Sequence, residues 1–375
     1  MNDRPLTLTC SLADQVLSRA KSIGIFNLSM GMVAELARRP EIAKLTLLAN
    51  HTHAGQLPEG VEVRWDDTPA RGRLGRLWWD QWRVYSAAAT TGNDWLFLPK
   101  GFASFTRRCP VRLTACVADT IHDFYREHYP QAVSGFEQQY FVRSFWGTVK
   151  NARVIFTISD FTTGEILRLA KARGLTPPPV HTIGIGFTRP TAPPTPRANR
   201  IVLIAAHCPR KRTDLALDWT ARWQRDSGFT GEVDCVGLLP PGLSFPTRPG
   251  WRWHDRLPER EHRQLIARSK ALVFFTEYEG FGMPPVEAAL AGTCPVFSSI
   301  PATREVMGDC GCPFNNTDYE SFRAAMDSAL KCPPQQIAAW ADTLLARHNW
   351  TRVLDRFVAG LQAAQAGTLL TPARP

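Results

Sequence analysis

FFTEYEGFGMPPVEAALAGTCPV, residues Phe274 to Val296, is the stretch on which the fold turns. The apolar run Ala271 to Phe275 has the character of a buried strand and gives way to Glu279-Gly280-Phe281-Gly282-Met283. After the pair Pro284-Pro285 a helix is expected to start with Val286-Glu287-Ala288-Ala289 and to end near Gly292, since proline suits a first helical turn and glycine a stop. Glycines let backbone amides come close to a ligand, and such amides beside a helix N-terminus form an anion site that a diphosphate fits. Glu279 and Glu287 flank that site, one in the loop and one in the expected first turn of the helix. Carboxylates do not bind phosphate, but they accept hydrogen bonds from sugar and ribose hydroxyls. Taken singly, each glutamate has a plainer explanation: a solvated loop charge at 279, and a residue complementing the helix dipole at 287.

Outward from this segment, short β-type runs alternate with helical patterns, which argues for parallel βαβ construction. Strands are expected near Leu6 to Cys10, Leu45 to Ala49, Glu62 to Trp65, Trp95 to Leu98, Arg112 to Ala118 and Val154 to Ser159, with helices at Leu28 to Arg39 and Phe136 to Lys150. The pattern restarts with strands at Arg200 to Ala206, Glu232 to Gly237 and Ala271 to Phe275, and with helices from about Thr213 and over Glu259 to Ser269. Between the halves, TRPTAPPTPR (Thr188 to Arg197) concentrates prolines that remove backbone donors and favour a stiff connection. The expectation is an α/β chain of two Rossmann-like units: 1–187, a linker at 188–199, a second unit at 200–350, and a closing segment at 351–375 that returns to the first. Two such units facing each other leave a cleft at the carboxyl ends of both sheets, where open α/β sheets bind ligands.

The 375 residues, 44% of them apolar, exclude a disordered or collagen-like chain, and no apolar run approaches the roughly 20 residues of a spanning helix. Nothing in MNDRPLTLTCSLADQVLSRA reads as a secretory core, so a cytoplasmic location is expected. The nine cysteines are scattered, with no metal knuckle or disulfide framework. A net charge of +10 points to an anionic partner: nucleic acid, a membrane face, or a phosphate-bearing substrate.

The two glutamates separated by seven residues around a Gly-Phe-Gly-Met-Pro-Pro loop resemble the hallmark of the retaining glycosyltransferases of family 4. ALAGTCPV (Ala289 to Val296), ATREVMG (Ala302 to Gly308) and His348-Asn349-Trp350 are similar to further family motifs, as is Ile158-Ser159-Asp160-Phe161. His181-Thr182-Ile183-Gly184-Ile185-Gly186 departs from the family's turn in lacking its Asn. The resemblance implies the GT-B fold and transfer of a sugar from a nucleotide-diphosphate donor, a GDP- or UDP-sugar, to a carbohydrate or lipid-linked glycan. It further implies a role in bacterial surface polysaccharide or glycolipid synthesis, with no metal and no cofactor beyond the donor substrate.

Residue by residue, the resemblance, closest to the variant with "HD" and "PRK" motifs, implies the following. Pro209-Arg210-Lys211-Arg212 follows the first strand of the second unit, and Lys211 aligns with a lysine on the donor phosphates. The Arg of the commoner family version falls at Ala206 and is absent, so Arg210 or Arg212 would substitute, although Arg212 is as well explained by a solvated basic turn. Gly280, Phe281, Gly282 and Met283 would join Lys211 on the diphosphate, Glu279 would hold sugar hydroxyls, and Glu287 the ribose. Thr120-Ile121-His122-Asp123 resembles the family's His-Asp pair, in which His122 contacts the donor sugar and Asp123 orients the loop or faces the acceptor. Gly24, in Ser22-Ile23-Gly24-Ile25, sits where a family glycine lets the backbone approach the donor phosphate, with Phe26 where a cation is usual.

In RGRLGRLWWDQWRVY (Arg71 to Tyr85), Leu74, Leu77, Trp78, Trp82 and Tyr85 share one helical face, among Arg71, Arg73, Arg76 and Arg83. This is either an interfacial helix on an anionic membrane or a core-packing helix with a basic start, the latter preferred because similar enzymes have an aromatic helix there. The enzyme has two rivals: a sugar-nucleotide hydrolase or epimerase of the same architecture, and a non-catalytic binder of nucleotide sugars or anionic polymers. The anionic partner is then a nucleotide sugar, with an acceptor or membrane surface accounting for the remaining charge in preference to nucleic acid.

Overall fold

A computed structural model describes residues 5–16, 23–190 and 196–368. The chain divides into two compact units. Unit 1 comprises Met1–Arg126, Val133–Phe187 and His348–Pro375; unit 2 comprises Glu127–Ala132 and Thr188–Arg347. The second break thus falls at His348, slightly before the expected 350, because Phe187 and His348 are tied by a backbone hydrogen bond of 2.9 Å and Phe187 pairs with Asn349. Part of the expected linker, residues 191–195, and most of the expected frayed tail lie outside the described residues, as does Ser22.

Unit 1 is built on a parallel sheet of seven strands in the order β3-β2-β1-β4-β5-β6-β7. These are β1 (Leu6–Ser11), β2 (Ile42–Ala49), β3 (Glu62–Trp65), β4 (Trp95–Leu98), β5 (Arg112–Val117), β6 (Val154–Thr157) and β7 (Val180–Thr182). The central strands β4 and β6 are buried throughout, as expected of strands covered by helices on both faces. The helix Trp350–Ala366 closes the unit, with Phe357 packed against Phe97 of β4 and Phe156 of β6 at ring separations of 4.9 and 4.6 Å.

The segment from Arg71 to Tyr85 differs from the single regular helix expected there. It is not one helix: α-helical Arg73–Trp78 passes through a π turn at Trp79–Arg83 into α-helical Val84–Ala89. The wider π turn slips the phase of the helix. Trp79 and Tyr85 consequently enter the core with Val84 and Ala88, while Leu74 and Trp78 of the expected buried face stay 81% and 54% exposed.

Unit 2 carries a parallel sheet of six strands in the order β10-β9-β8-β11-β12-β13. They are β8 (Arg200–Ile204), β9 (Glu232–Val236), β10 (Trp251–His254), β11 (Ala271–Phe274), β12 (Cys294–Ser298) and β13 (Cys312–Phe314). Its core is aromatic: Phe275, Phe314 and Phe322 form a mutually packed cluster beside Trp219. Strand order reverses between β8 and β11, the place where open α/β sheets present a crevice at their carboxyl ends. Among the described residues no helix is long and apolar enough to cross a membrane.

Candidate functional site

The loops that leave β8 and β11 meet at this reversal in unit 2. Arg210 and Lys211 follow β8 in a short 3₁₀ turn, Pro209–Lys211, and Glu279 follows β11. Lys211 Nζ donates to Glu279 Oε1 at 2.6 Å, and Arg210 donates to the same oxygen. Arg210 also donates to the Tyr278 carbonyl at 2.7 Å, and Lys211 Nζ lies 4.1 Å from the centre of the Phe274 ring. Thr276 Oγ1, which no sequence motif singles out, completes the cluster by donating to Glu279 Oε1 at 2.8 Å. Thr276 is held in turn through its backbone N–H to Ser298 Oγ at 2.8 Å and through its carbonyl, which accepts from Asn316 at 2.8 Å. A threonine directly beyond an apolar strand was the available signal.

The electrostatics follow from this geometry. Burial alone would raise the Glu279 pKa, but Arg210, Lys211 and the bonds from Lys211 and Thr276 outweigh it and hold the carboxyl down at about 2. Burial pulls the Lys211 ammonium down, Glu279 pushes it up, and neighbouring Arg210 again pulls it down, leaving it below the ordinary lysine value. Two cations share one carboxylate, so the cluster retains a positive excess in a place with little water. That is a fitting seat for an anion.

Gly282 caps the helix Met283–Leu290 with φ 89°, a left-handed conformation, and a Cβ there would come within 2.9 Å of Thr303 Cγ2. The helix begins at Met283 and takes both prolines into its first turn, three residues before the expected start. Pro284 and Pro285 have no N–H, so amide donation at this helix start is confined to Gly282 and Met283. Gly280 and Phe281 are buried, and the Phe281 ring, 3% exposed, belongs to the core. Glu287 consequently lies in the second helical turn, not the first. It is half-buried, and burial is the main cause of its raised pKa, opposed by Arg263 and reinforced by Glu259.

Arg212 takes a different part from its two neighbours. Its backbone is left-handed at φ 42°, it precedes the helix Thr213–Ser227, and its guanidinium pairs with Glu277 at 2.7 Å and Asp214 at 3.1 Å. With both carboxylates engaged, it fastens the loop. Glu277 also accepts from the Tyr129 hydroxyl.

In unit 1, His122 and Asp123 lie in the first turn of the helix Ile121–His128, just beyond the carboxyl end of β5. His122 Nε2 lies 3.1 Å from Asp123 Oδ2, and the imidazole packs on Phe145 at 4.8 Å. The ring is 5% exposed, and among the described residues its Nδ1 has no hydrogen-bond partner. Arg126 pairs with Asp123 at 2.5 Å. Burial would raise the Asp123 pKa, but His122, Arg126 and Arg173 bring it below the usual value. Gly24 is a correction: it lies in the first turn of the helix Ile23–Leu36, not in a loop, and Phe26 is buried against His53 at 5.3 Å.

Comparisons with known proteins bear on this arrangement. The chain is 25% identical over 365 residues, 86% of its length and 90% of the relative's, to O-antigen chain mannosyltransferase B of Escherichia coli. In structure it is similar to a sucrose-phosphate synthase from Thermosynechococcus elongatus, with a TM-score of 0.69, 12% identity, and 97% and 100% of the two chains covered. It is similar also to HepE of Anabaena, solved with UDP and glucose, with a TM-score of 0.63, 15% identity, and 96% and 100% covered. Residues 247–341 match the family model described as glycosyl transferases group 1. The chain therefore has the GT-B fold of two Rossmann-like sheets, and over residues 247–341 it is similar to the glycosyl transferases group 1 family.

Proposed function

We propose that this protein is a retaining, metal-independent hexosyltransferase that moves a sugar, with mannose the first to test, from a GDP- or UDP-sugar to a carbohydrate or lipid-linked glycan in bacterial surface polysaccharide synthesis. It acts in the cytoplasm, without a cofactor. The observation that carries this reading is the cluster of Arg210, Lys211, Thr276 and Glu279 at the reversal of the second sheet. The O-antigen mannosyltransferase relative supports the hexose, and HepE, solved with UDP and glucose, supports a nucleotide donor.

In the proposed step the bond between the sugar C1 and the diphosphate oxygen breaks, and a bond from C1 to the acceptor hydroxyl oxygen forms on the same face. The acceptor proton passes to the departing diphosphate. Lys211 and Arg210 offset the charge that grows on that diphosphate, a leading electrostatic contribution in such reactions. The Gly282 and Met283 amides add to it. Glu279 accepts from sugar hydroxyls with its remaining lone pairs, and Glu287 takes the ribose.

Thermal-shift screening of nucleotide sugars identifies the donor, because a ligand that binds the folded chain raises its melting midpoint. Release of nucleoside diphosphate with a glycan acceptor, in EDTA, then measures transfer, and NMR of the new linkage reads its anomeric configuration. Tight nucleotide binding with no sugar release under any acceptor mixture would make the protein a binder. An inverted linkage, or activity abolished by EDTA, would remove the retaining or the metal-independent part.

A further inference from the structure

The phase slip at the π turn leaves an apolar concavity on unit 1 that the transfer reaction does not use. Leu74, Leu77, Trp78, Trp82, Phe105 and Phe136 line a pocket of about 570 Å³. Four of these side chains are openly exposed: Leu74 at 81%, Phe136 at 72%, Trp78 at 54% and Phe105 at 38%. The Trp78 and Trp82 rings stack at 5.1 Å and present one continuous aromatic surface. Contiguous exposed aromatics of this kind mark interaction surfaces, and π turns recur at functional positions.

The surroundings select the partner. Arg143 reaches the pocket itself; Arg71 and Arg73 precede Leu74, and Arg107 and Arg108 follow Phe105, all of them exposed. Among the described residues none of these five is in an ion pair. The nearby carboxylates are already taken, Asp80 by Arg76 at 3.6 Å and the Tyr140 hydroxyl at 2.5 Å, and Asp66 by Arg83 at 2.8 Å. Aromatic side chains that keep an apolar body at a water boundary, ringed by uncompensated arginines, match a lipid headgroup layer of negative charge. We infer that this face of unit 1 docks on an anionic bilayer, with Leu74, Trp78, Phe105 and Phe136 entering the headgroup region and the five arginines on the lipid phosphates. The docking accounts for much of the +10 charge that the diphosphate seat leaves over.

The full-length protein is co-sedimented with vesicles of phosphatidylcholine alone and of phosphatidylcholine with phosphatidylglycerol. Binding is expected to the anionic vesicles only, to weaken as salt rises, and to fall about fivefold for each arginine replaced in Arg71→Gln, Arg73→Gln and Arg107→Gln. Leu74→Ser with Phe136→Ser, at positions with little packing to lose, should release the protein from vesicles while its melting midpoint and its nucleotide-diphosphate shift stay those of the wild type. That last control separates this inference from the donor reading, which it leaves intact. Failure of the wild type to bind, equal binding to neutral vesicles, or unchanged binding by the double variant would overturn it. So would a dimer in light scattering that the double variant dissolves, since the patch would then join two copies of the chain.

Discussion

Lys211 and Glu279, 68 positions apart in sequence, meet at 2.6 Å across the strand reversal between β8 and β11. With Arg210 donating to the same oxygen, one carboxylate holds two cations in place, and the charge left over is positive.

Removing that carboxylate leaves Arg210 and Lys211 side by side without a counter-charge. Glu279→Gln should therefore lose about 3 kcal/mol or more, a drop in melting midpoint of roughly 4 °C for a chain of this length. Inorganic pyrophosphate should recover more of that loss than it adds to the wild type, because an external anion then takes the vacant place. Equal shifts in both proteins, by scanning calorimetry at matched pyrophosphate, would show that the anion binds elsewhere. Transfer should be abolished in Glu279→Gln and in Lys211→Ala alike.

The pH dependence has a definite sign. The folded Glu279 carboxyl is depressed from 4.5 to about 2. Its contribution is therefore fully present above pH 4.5 and is lost as pH falls toward 2, amounting to roughly 3 kcal/mol at neutral pH. The stability difference between wild type and Glu279→Gln, followed by urea unfolding, should be flat from neutral pH to about 5 and should shrink below 4.5. A difference that widens on acidification contradicts the pairing.

Thr276 tests positioning separately from charge. Its hydroxyl reaches Glu279 at 2.8 Å, with the Tyr278 carbonyl 3.2 Å away as a second acceptor. Thr276→Val keeps the shape and removes that bond, so kcat/KM for the donor should fall about tenfold, the effect of one hydrogen bond to a charged group. Thr276→Ser should restore it. Loss of activity in Ser as well as Val would point to packing instead.

Much of this was legible in the sequence because apolar runs and glycine turns are local signals. The strands β3 and β4 appear with the expected bounds, and the turn around Gly282 is where Glu279-Gly280-Phe281-Gly282-Met283 placed it. Four strands went unanticipated: β12, a buried interior strand whose CPV had been read only as part of a motif, and the three sheet edges β7, β10 and β13. Val180–Thr182 and Cys312–Phe314 are three residues long, and Trp251–His254 alternates tryptophan with charged or polar residues, so none has a buried apolar run to betray it. Lys211 and Glu279, singled out by motif, do meet, but the helix start at Met283 was not anticipated, since Pro284 and Pro285 fit inside a first turn as well as before one. The face of Leu74 to Tyr85 was misassigned for a different reason: a regular helical period cannot anticipate the π turn at Trp79–Arg83.

Trp350 shows how the closing helix is seated within unit 1. Its indole lies against two glycines: a Cβ at Gly31 would fall 2.1 Å from Cζ2, and one at Gly186 2.3 Å from Cδ2. Both distances are far inside van der Waals contact, so Gly31 and Gly186 are there for space; neither backbone is left-handed. Gly186→Ala should displace the indole and cost about 1–3 kcal/mol, a few degrees in melting midpoint. If the clash is the cause, Trp350→Leu, itself destabilising, should absorb the added methyl, and the double variant should be more stable than the sum of the two losses predicts. The measurement is a double-mutant cycle by denaturant unfolding. Strict additivity would mean that Gly186 and Trp350 act independently, and that the close approach of the indole to Gly186 is not what seats the helix.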